Sequence, residues 1–167
     1  MEAAQSGPVR WRLRGVLILV QNFSRAIGQL RIVLREESLR SRQNDIIRLL
    51  EPTIADAQSC GVEQQDGNLT NFLIGSDDRI MFVDEDDIRI CPGMLPLTTA
   101  VSNLASIAAR LPDEEMVAVL LSSYLEVASV GSWLQSSQNA FWFEVKAWRA
   151  MLKAKRASRN IAPRHFD

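Results

Sequence analysis

The chain has 167 residues, 47% of them hydrophobic and 23% charged, with a net charge of −1. That is one domain's worth of chain with enough apolar material for a core, and the near-neutral balance removes any global charge argument for nucleic acid. The two cysteines, Cys60 and Cys91, and the single histidine, His165, have no metal-ligand spacing, which argues against a zinc cage and a disulfide framework and for buried thiols in a reducing, cytoplasmic compartment.

Residues 1–11 read as a disordered N-terminus, of which 1–9 are small and polar. The apolar run Gly15–Val20 follows Arg10, Arg12 and Arg14. It is far short of the roughly 20 residues that a membrane helix needs, and no small-residue cleavage site follows it. With Gln21 and Asn22 behind it, the segment 15–21 reads as a central strand. Ile27, Leu30, Val33 and Leu34 stand at helical spacing and predict a short helix over 26–36. Ile46, Ile47, Leu50, Ile54 and Ala57 predict a longer helix over 38–58, with Ser38 as its N-cap, a kink or restart at Pro52, and an end at Cys60–Gly61.

Residues 62–93 change character. Asn68–Gly75 and Ile80–Val83 read as two short strands joined by Gly75–Asp78, a β-hairpin. An acidic cluster follows at Asp84–Asp87, then a short strand at Ile88–Ile90 and a loop from Cys91 to Pro96. The remainder reads as three helices. Val101, Leu104, Ala105, Ala108 and Leu111 mark the first. Pro112–Asp113 opens the second, with Met116, Val117, Leu120, Leu121 and Tyr124 inward. The third runs over about 136–157 with Phe141, Val145, Trp148, Met151 and Leu152 on its apolar face. The order is α-rich with a small sheet, an α+β chain without βαβ alternation. No internal repeat or low-complexity tract interrupts it.

The chemistry-bearing residues are Asp66, Asn71 and Asp84. Asp66 precedes Asn71 by five positions in Asp-Gly-Asn-Leu-Thr-Asn, and Asp84 follows after the hairpin. Phosphoryl transfer needs one carboxylate to orient the attacking hydroxyl, and a second carboxylate with an amide oxygen to hold Mg²⁺ against the phosphates. A loop followed by a hairpin can bring those three together. On its own, Asp66–Asn71 also reads as a polar turn after a helix, and Asp84–Asp87 as an exposed acidic turn.

Gly61–Ile74 resembles the helix end, catalytic loop and following strand of a protein kinase, whose loop reads H-R-D-L-x-x-x-N. Met81–Arg89 is similar to the metal-binding loop of the lipopolysaccharide core kinases, the Kdo/heptose kinase group. Asn103-Leu104-Ala105 resembles the D-L-A that opens a later helix there, and residues 15–21 and 26–36 resemble the hinge strand and the helix after it. The resemblance covers roughly residues 12–125. It implies a mostly helical kinase-like C-lobe over 12–157, a small hairpin carrying the catalytic and metal loops, and a basic flexible tail over 158–167. By the same resemblance Asp66 is the base, Asn71 and Asp84 are metal ligands, and Mg²⁺ and ATP are the cofactors. The expected activity moves the γ-phosphate of ATP to a hydroxyl, of a sugar rather than a protein.

The sequence departs from that pattern at Gln64 and Gln65, where the family has His and Arg or Gly, and at Asn103, where Asp is usual. Nothing upstream of residue 12 supplies a glycine-rich loop or a phosphate-pairing lysine with its glutamate. The expectation is therefore a truncated or degenerate kinase, weakly active or inactive alone, partnered by a missing N-lobe or by a second copy. The alternative is a non-catalytic interaction module that recruits partners through an exposed strand edge. The basic stretch from Lys146 to Arg164 reads as a solvated helix face and tail, with anionic membrane or nucleic acid as the lesser reading. Trp133, Trp142 and Trp148 read as core packing, and His165 carries no catalytic role.

Overall fold

The computed structural model describes residues 11–13, 16–18, 26–75, 78–83, 85–127 and 135–162. The chain is a mostly helical α+β protein with small antiparallel sheets. Strands β1 (Trp11–Leu13) and β2 (Val16–Ile18) pair with each other, Trp11 opposite Ile18. Of the central strand expected over 15–21, Val16–Ile18 are a strand, but in a sheet of two strands, where neither is central; Trp11 is in a strand rather than a disordered end. Residues 1–10 and 19–25 lie outside the described residues.

The helix expected over 26–36 is only partly formed. Ala26–Gln29 form β3, and only Leu30–Val33 are helical, as α1. β3 pairs antiparallel with β5 (Phe72–Gly75), with a register shift between Ala26 and Gly28. The sheet edge offered by β5 satisfies the backbone groups of 26–29, and this long-range pairing overrides the local 3.6 spacing. β5 also pairs with β6 (Ile80–Phe82), so β3, β5 and β6 make a three-stranded sheet in which the rings of Phe72 and Phe82 meet edge-on at 5.1 Å. The expected hairpin is therefore present as β5–β6. Residues 76–77 of its turn are outside the described residues.

Helix α2 spans Gln43–Ser59 behind a 3-10 turn at Glu37–Arg42. Ser38 is not its N-cap: the Ser38 hydroxyl donates to the Glu36 carboxylate at 3.3 Å. Nor does the helix restart at Pro52, which sits inside it. Ile46, Ile47, Leu50, Ile54 and Ala57 on one face are buried, and packing of that face outweighs the single backbone hydrogen bond that proline forfeits. α2 packs on α4 (Glu114–Val127), whose Met116, Val117, Leu120, Leu121 and Tyr124 complete the interface. The Asp113 carboxylate caps α4 by accepting the Met116 N–H at 2.8 Å, with Glu114 and Glu115 in the first turn.

Ahead of α4 in the chain is α3 (Leu97–Ala108), whose run from Asn103 to Ala108 is entirely buried. α3 packs on α5 (Gln135–Ala157) through the wholly buried Phe141 and Val145, and Ser102 donates to Glu144 across the interface at 3.0 Å. A third small sheet, β4 (Val62–Gln64) with β7 (Ile88–Ile90), lies against α3. Its register places Glu63 opposite Arg89, and the two side chains form an ion pair. No described helix is long and apolar enough to cross a membrane.

A carboxyl group is buried in the core. Glu51 on α2 is 3% exposed, and its Oε1 has no hydrogen-bond partner. Burial, reinforced by Asp56 and Glu126, pushes its carboxyl up to about 7 from an ordinary value of 4.5. Burial also pushes the neighbouring Tyr124 up to about 12, with Glu51 adding to the effect. The folded protein therefore holds the Glu51 proton more tightly than the unfolded chain. Its stability is greatest below the unfolded value and falls as pH rises through 4.5 toward about 7. This single group should cost on the order of 1–3 kcal/mol across that window. Urea unfolding at acidic and at mildly alkaline pH should show this loss in the wild type and little of it in Glu51→Gln. Equal pH dependence of the two proteins would refute the assignment.

Candidate functional site

The loop that carries Asp66 and Asn71 is shaped at both ends. α2 stops at Cys60, and Gly61, with φ of 77°, turns the chain directly into β4. A side chain there would overlap the carbonyl oxygens of Cys91 and Gly93, so only glycine fits. After β4 the chain turns again at Gly67, with φ of 59°. The Gly67 N–H donates to the Gln64 side-chain oxygen and closes the turn. A Cβ at Gly67 would strike the Ser106 hydroxyl and lie 2.9 Å from the Ser106 carbonyl carbon, because α3 runs immediately behind the loop. Asn68 then caps a 3-10 turn at Leu69–Asn71, accepting the Thr70 N–H at 3.3 Å, and the chain enters β5.

Pairing of β4 with β7 brings the acidic segment to this loop. The Gln65 N–H donates to the Asp87 carbonyl at 2.8 Å, and the Asn71 carbonyl accepts the Val83 N–H at 2.8 Å. The side chain of Asn71 is 6% exposed. Its amide donates to the Asp87 carboxylate at 3.3 Å, and its oxygen accepts from the Thr70 hydroxyl at 3.3 Å. Asn71 and the acidic turn are thus brought together, through Asp87. Asp84 lies outside the described residues. Among the described residues, no three His, Cys, Asp or Glu side chains gather closely enough to hold a metal ion.

Asp66 faces another partner. Its carboxylate, 40% exposed, meets the Arg110 guanidinium at 3.3 Å. Arg110 is itself buried, donates to the Ser106 carbonyl from α3, and lies 5.5 Å from the centre of the Trp148 ring on α5. Burial lowers the Arg110 pKa from its ordinary value and the Asp66 carboxylate acts to raise it. A buried guanidinium stacked on an indole is held in one place, so it fixes the carboxylate it pairs with.

Behind the loop lies a buried polar chain. The Tyr124 hydroxyl donates to the Gln58 oxygen at 2.5 Å, and the Gln58 amide donates to Asn103 Oδ1 at 2.9 Å and to the Ala100 carbonyl at 3.3 Å. Asn103 Nδ2 donates to the Gln64 carbonyl at 2.7 Å, two residues before Asp66. Both ends of the Asn103 amide are used, one as acceptor and one as donor. The Gln64 Nε2 is buried without a partner.

Three of these residues escaped the sequence reading as site residues: Asp87, Arg110 and Gln58. Asp87 was visible only as one of four acids at 84–87, and it is the strand register that selects it. Arg110 stood as one cation between Ala109 and Leu111, where a charge is rarely buried unless paired. Gln58 carried no local signal. No protein-family model matches the chain, and a search of curated proteins returns no match.

An aspartate at 103 would present only acceptors to the Gln64 carbonyl. Asn103→Asp should therefore lower stability by about 1–3 kcal/mol, the cost of leaving a buried acceptor unsatisfied beside a new charge. The loss should be visible as a lower urea midpoint with unchanged slope. A midpoint equal to wild type would show that the Asn103 amide does not pin the loop.

Proposed function

We propose that this chain is the C-terminal lobe of a kinase-like phosphotransferase, acting on a hydroxyl of the sugar type rather than on protein. Asp66 takes the place of the base that orients the attacking hydroxyl. Asn71 and Asp84 take the places of the metal ligands, with Asp87 beside them. The reading is supported above all by one juxtaposition: the β4–β7 pairing sets the loop with Asp66 and Asn71 against the acidic turn, and the Asn71 amide reaches Asp87 at 3.3 Å. The donor chemistry fits as well, since an amide oxygen and carboxylates are what a hard, oxygen-seeking cation takes. When bound, Mg²⁺ supplies the charge neutralisation that phosphate oxygens require. The roles of the chain's own residues are to hold that charge and to aim the hydroxyl.

Cys60 and Cys91, half-buried rather than buried and not joined in a disulfide, are compatible with a reducing, cytoplasmic setting. A second reading, a non-catalytic interaction module, is favoured by one observation: Asp66 is already neutralised by Arg110 at 3.3 Å.

Thermal melts with and without Mg-ATP separate the two. The phosphotransferase reading expects a rise of a few degrees in the wild type, magnesium-dependent and lost in Asp84→Asn and in Asn71→Ala. Identical responses of wild type and both variants would count against the metal-site assignment. A stable dimer by light scattering with no nucleotide response would favour the interaction module.

A further inference from the structure

Around α1 the surface opens into a cavity of about 400 Å³ lined by Gln29, Arg31, Ile32, Arg35 and Glu36. That volume is in the range of small-molecule sites. Two arginines line it, Arg31 on α1 and Arg35 just past the end of that turn, and they lie close enough for the charge of one to bear on the other. Among the described residues neither Arg31 nor Arg35 makes an ion pair or a side-chain hydrogen bond. The one acid on the wall, Glu36, accepts from the Ser38 hydroxyl at 3.3 Å. Gln29 adds an amide whose side chain makes no capping bond to α1. Ile32, 58% exposed, supplies an apolar surface beside the cations.

Two like charges held side by side repel each other. Partial burial first, and then the charge of Arg31, lowers the pKa of the largely exposed Arg35 from its ordinary value. An anion in the cavity would relieve the repulsion between the two cations. Paired guanidinium groups with an amide donor match the several acceptor oxygens of a phosphate monoester, because each planar fork can bind two of them. The apolar Ile32 suits the carbon body to which such a phosphate is attached.

We propose that the cavity formed by Gln29, Arg31, Ile32 and Arg35 binds a small phosphate monoester. The site is separate from Asp66 and Asn71 and does not rest on the phosphotransfer reading. α1 nonetheless packs on the Leu69–Asn71 turn, so an occupant would sit one element away from that loop.

Isothermal titration calorimetry on the full chain tests this with inorganic phosphate, glucose 6-phosphate and glucose, alongside sedimentation with phosphatidylcholine vesicles containing phosphatidic acid. Saturable binding of glucose 6-phosphate, with glucose silent, is the expected result. Arg31→Gln and Arg35→Gln should each weaken it by roughly tenfold or more, and Arg35→Lys by less, since lysine keeps the charge and loses the fork. Neither residue lies in the buried core, and circular dichroism of each variant verifies that the fold is kept. Vesicle binding that needs both arginines, with no binding of the soluble phosphates, would assign the same chemistry to a lipid headgroup. No saturable binding of any phosphate up to about 10 mM, or binding unchanged in both glutamine variants, would overturn the proposal.

Discussion

The amide of Asn103 holds the structure together at the point where its layers meet. It sits 5% exposed on the buried face of α3, and its two ends join α2 to the strand before the Asp66 loop. A buried polar group of this kind stabilises only when every bond is made, since each broken one costs about 1–3 kcal/mol of a total near 5–15. Around it the apolar contacts of α2 with α4 and α3 with α5 supply the bulk of the stability without direction. The amide supplies the direction: it selects one register of α3 against the loop among the many that apolar packing alone would accept.

The Asp66 loop is therefore held from three sides. Gly67 lets it approach α3 closely, the Asn103 amide fixes its first residues, and Arg110 fixes its carboxylate. Asn71 is held from the other side by β5, β6 and Asp87. A site assembled this way is preorganised by the scaffold rather than by its own loop, the arrangement in which catalytic and binding groups are most accurately placed.

The helical half of this fold was legible from spacing. α4 and α5 begin and end close to where Pro112–Asp113 and the apolar stripe from Phe141 place them, because amphipathic packing and capping act over neighbouring residues. The β5–β6 hairpin was legible for the same local reason. The strand at 26–29 was not. Ile27, Leu30, Val33 and Leu34 obey the helical period, yet Ala26–Gln29 pair with residues more than forty positions away. Long-range pairing leaves no trace in a local period. The candidate site divides the same way: Asp66 and Asn71 could be named from their spacing, whereas Asp87, Arg110 and Gln58 are selected by contacts between distant segments. The kinase-like assignment itself rests on motif and element order.

Trp148 belongs to the last helix, and its ring lies over the guanidinium that fixes Asp66. During synthesis the loop emerges long before that ring does. A nascent chain can thus collapse its sheets and α2 while Asp66 is still loosely held, and the carboxylate is fixed only when the C-terminal helix docks. A chain cut just before Trp148 would keep the buried Phe141 and Val145 and lose the ring that holds Arg110, and with it the fixed place of Asp66.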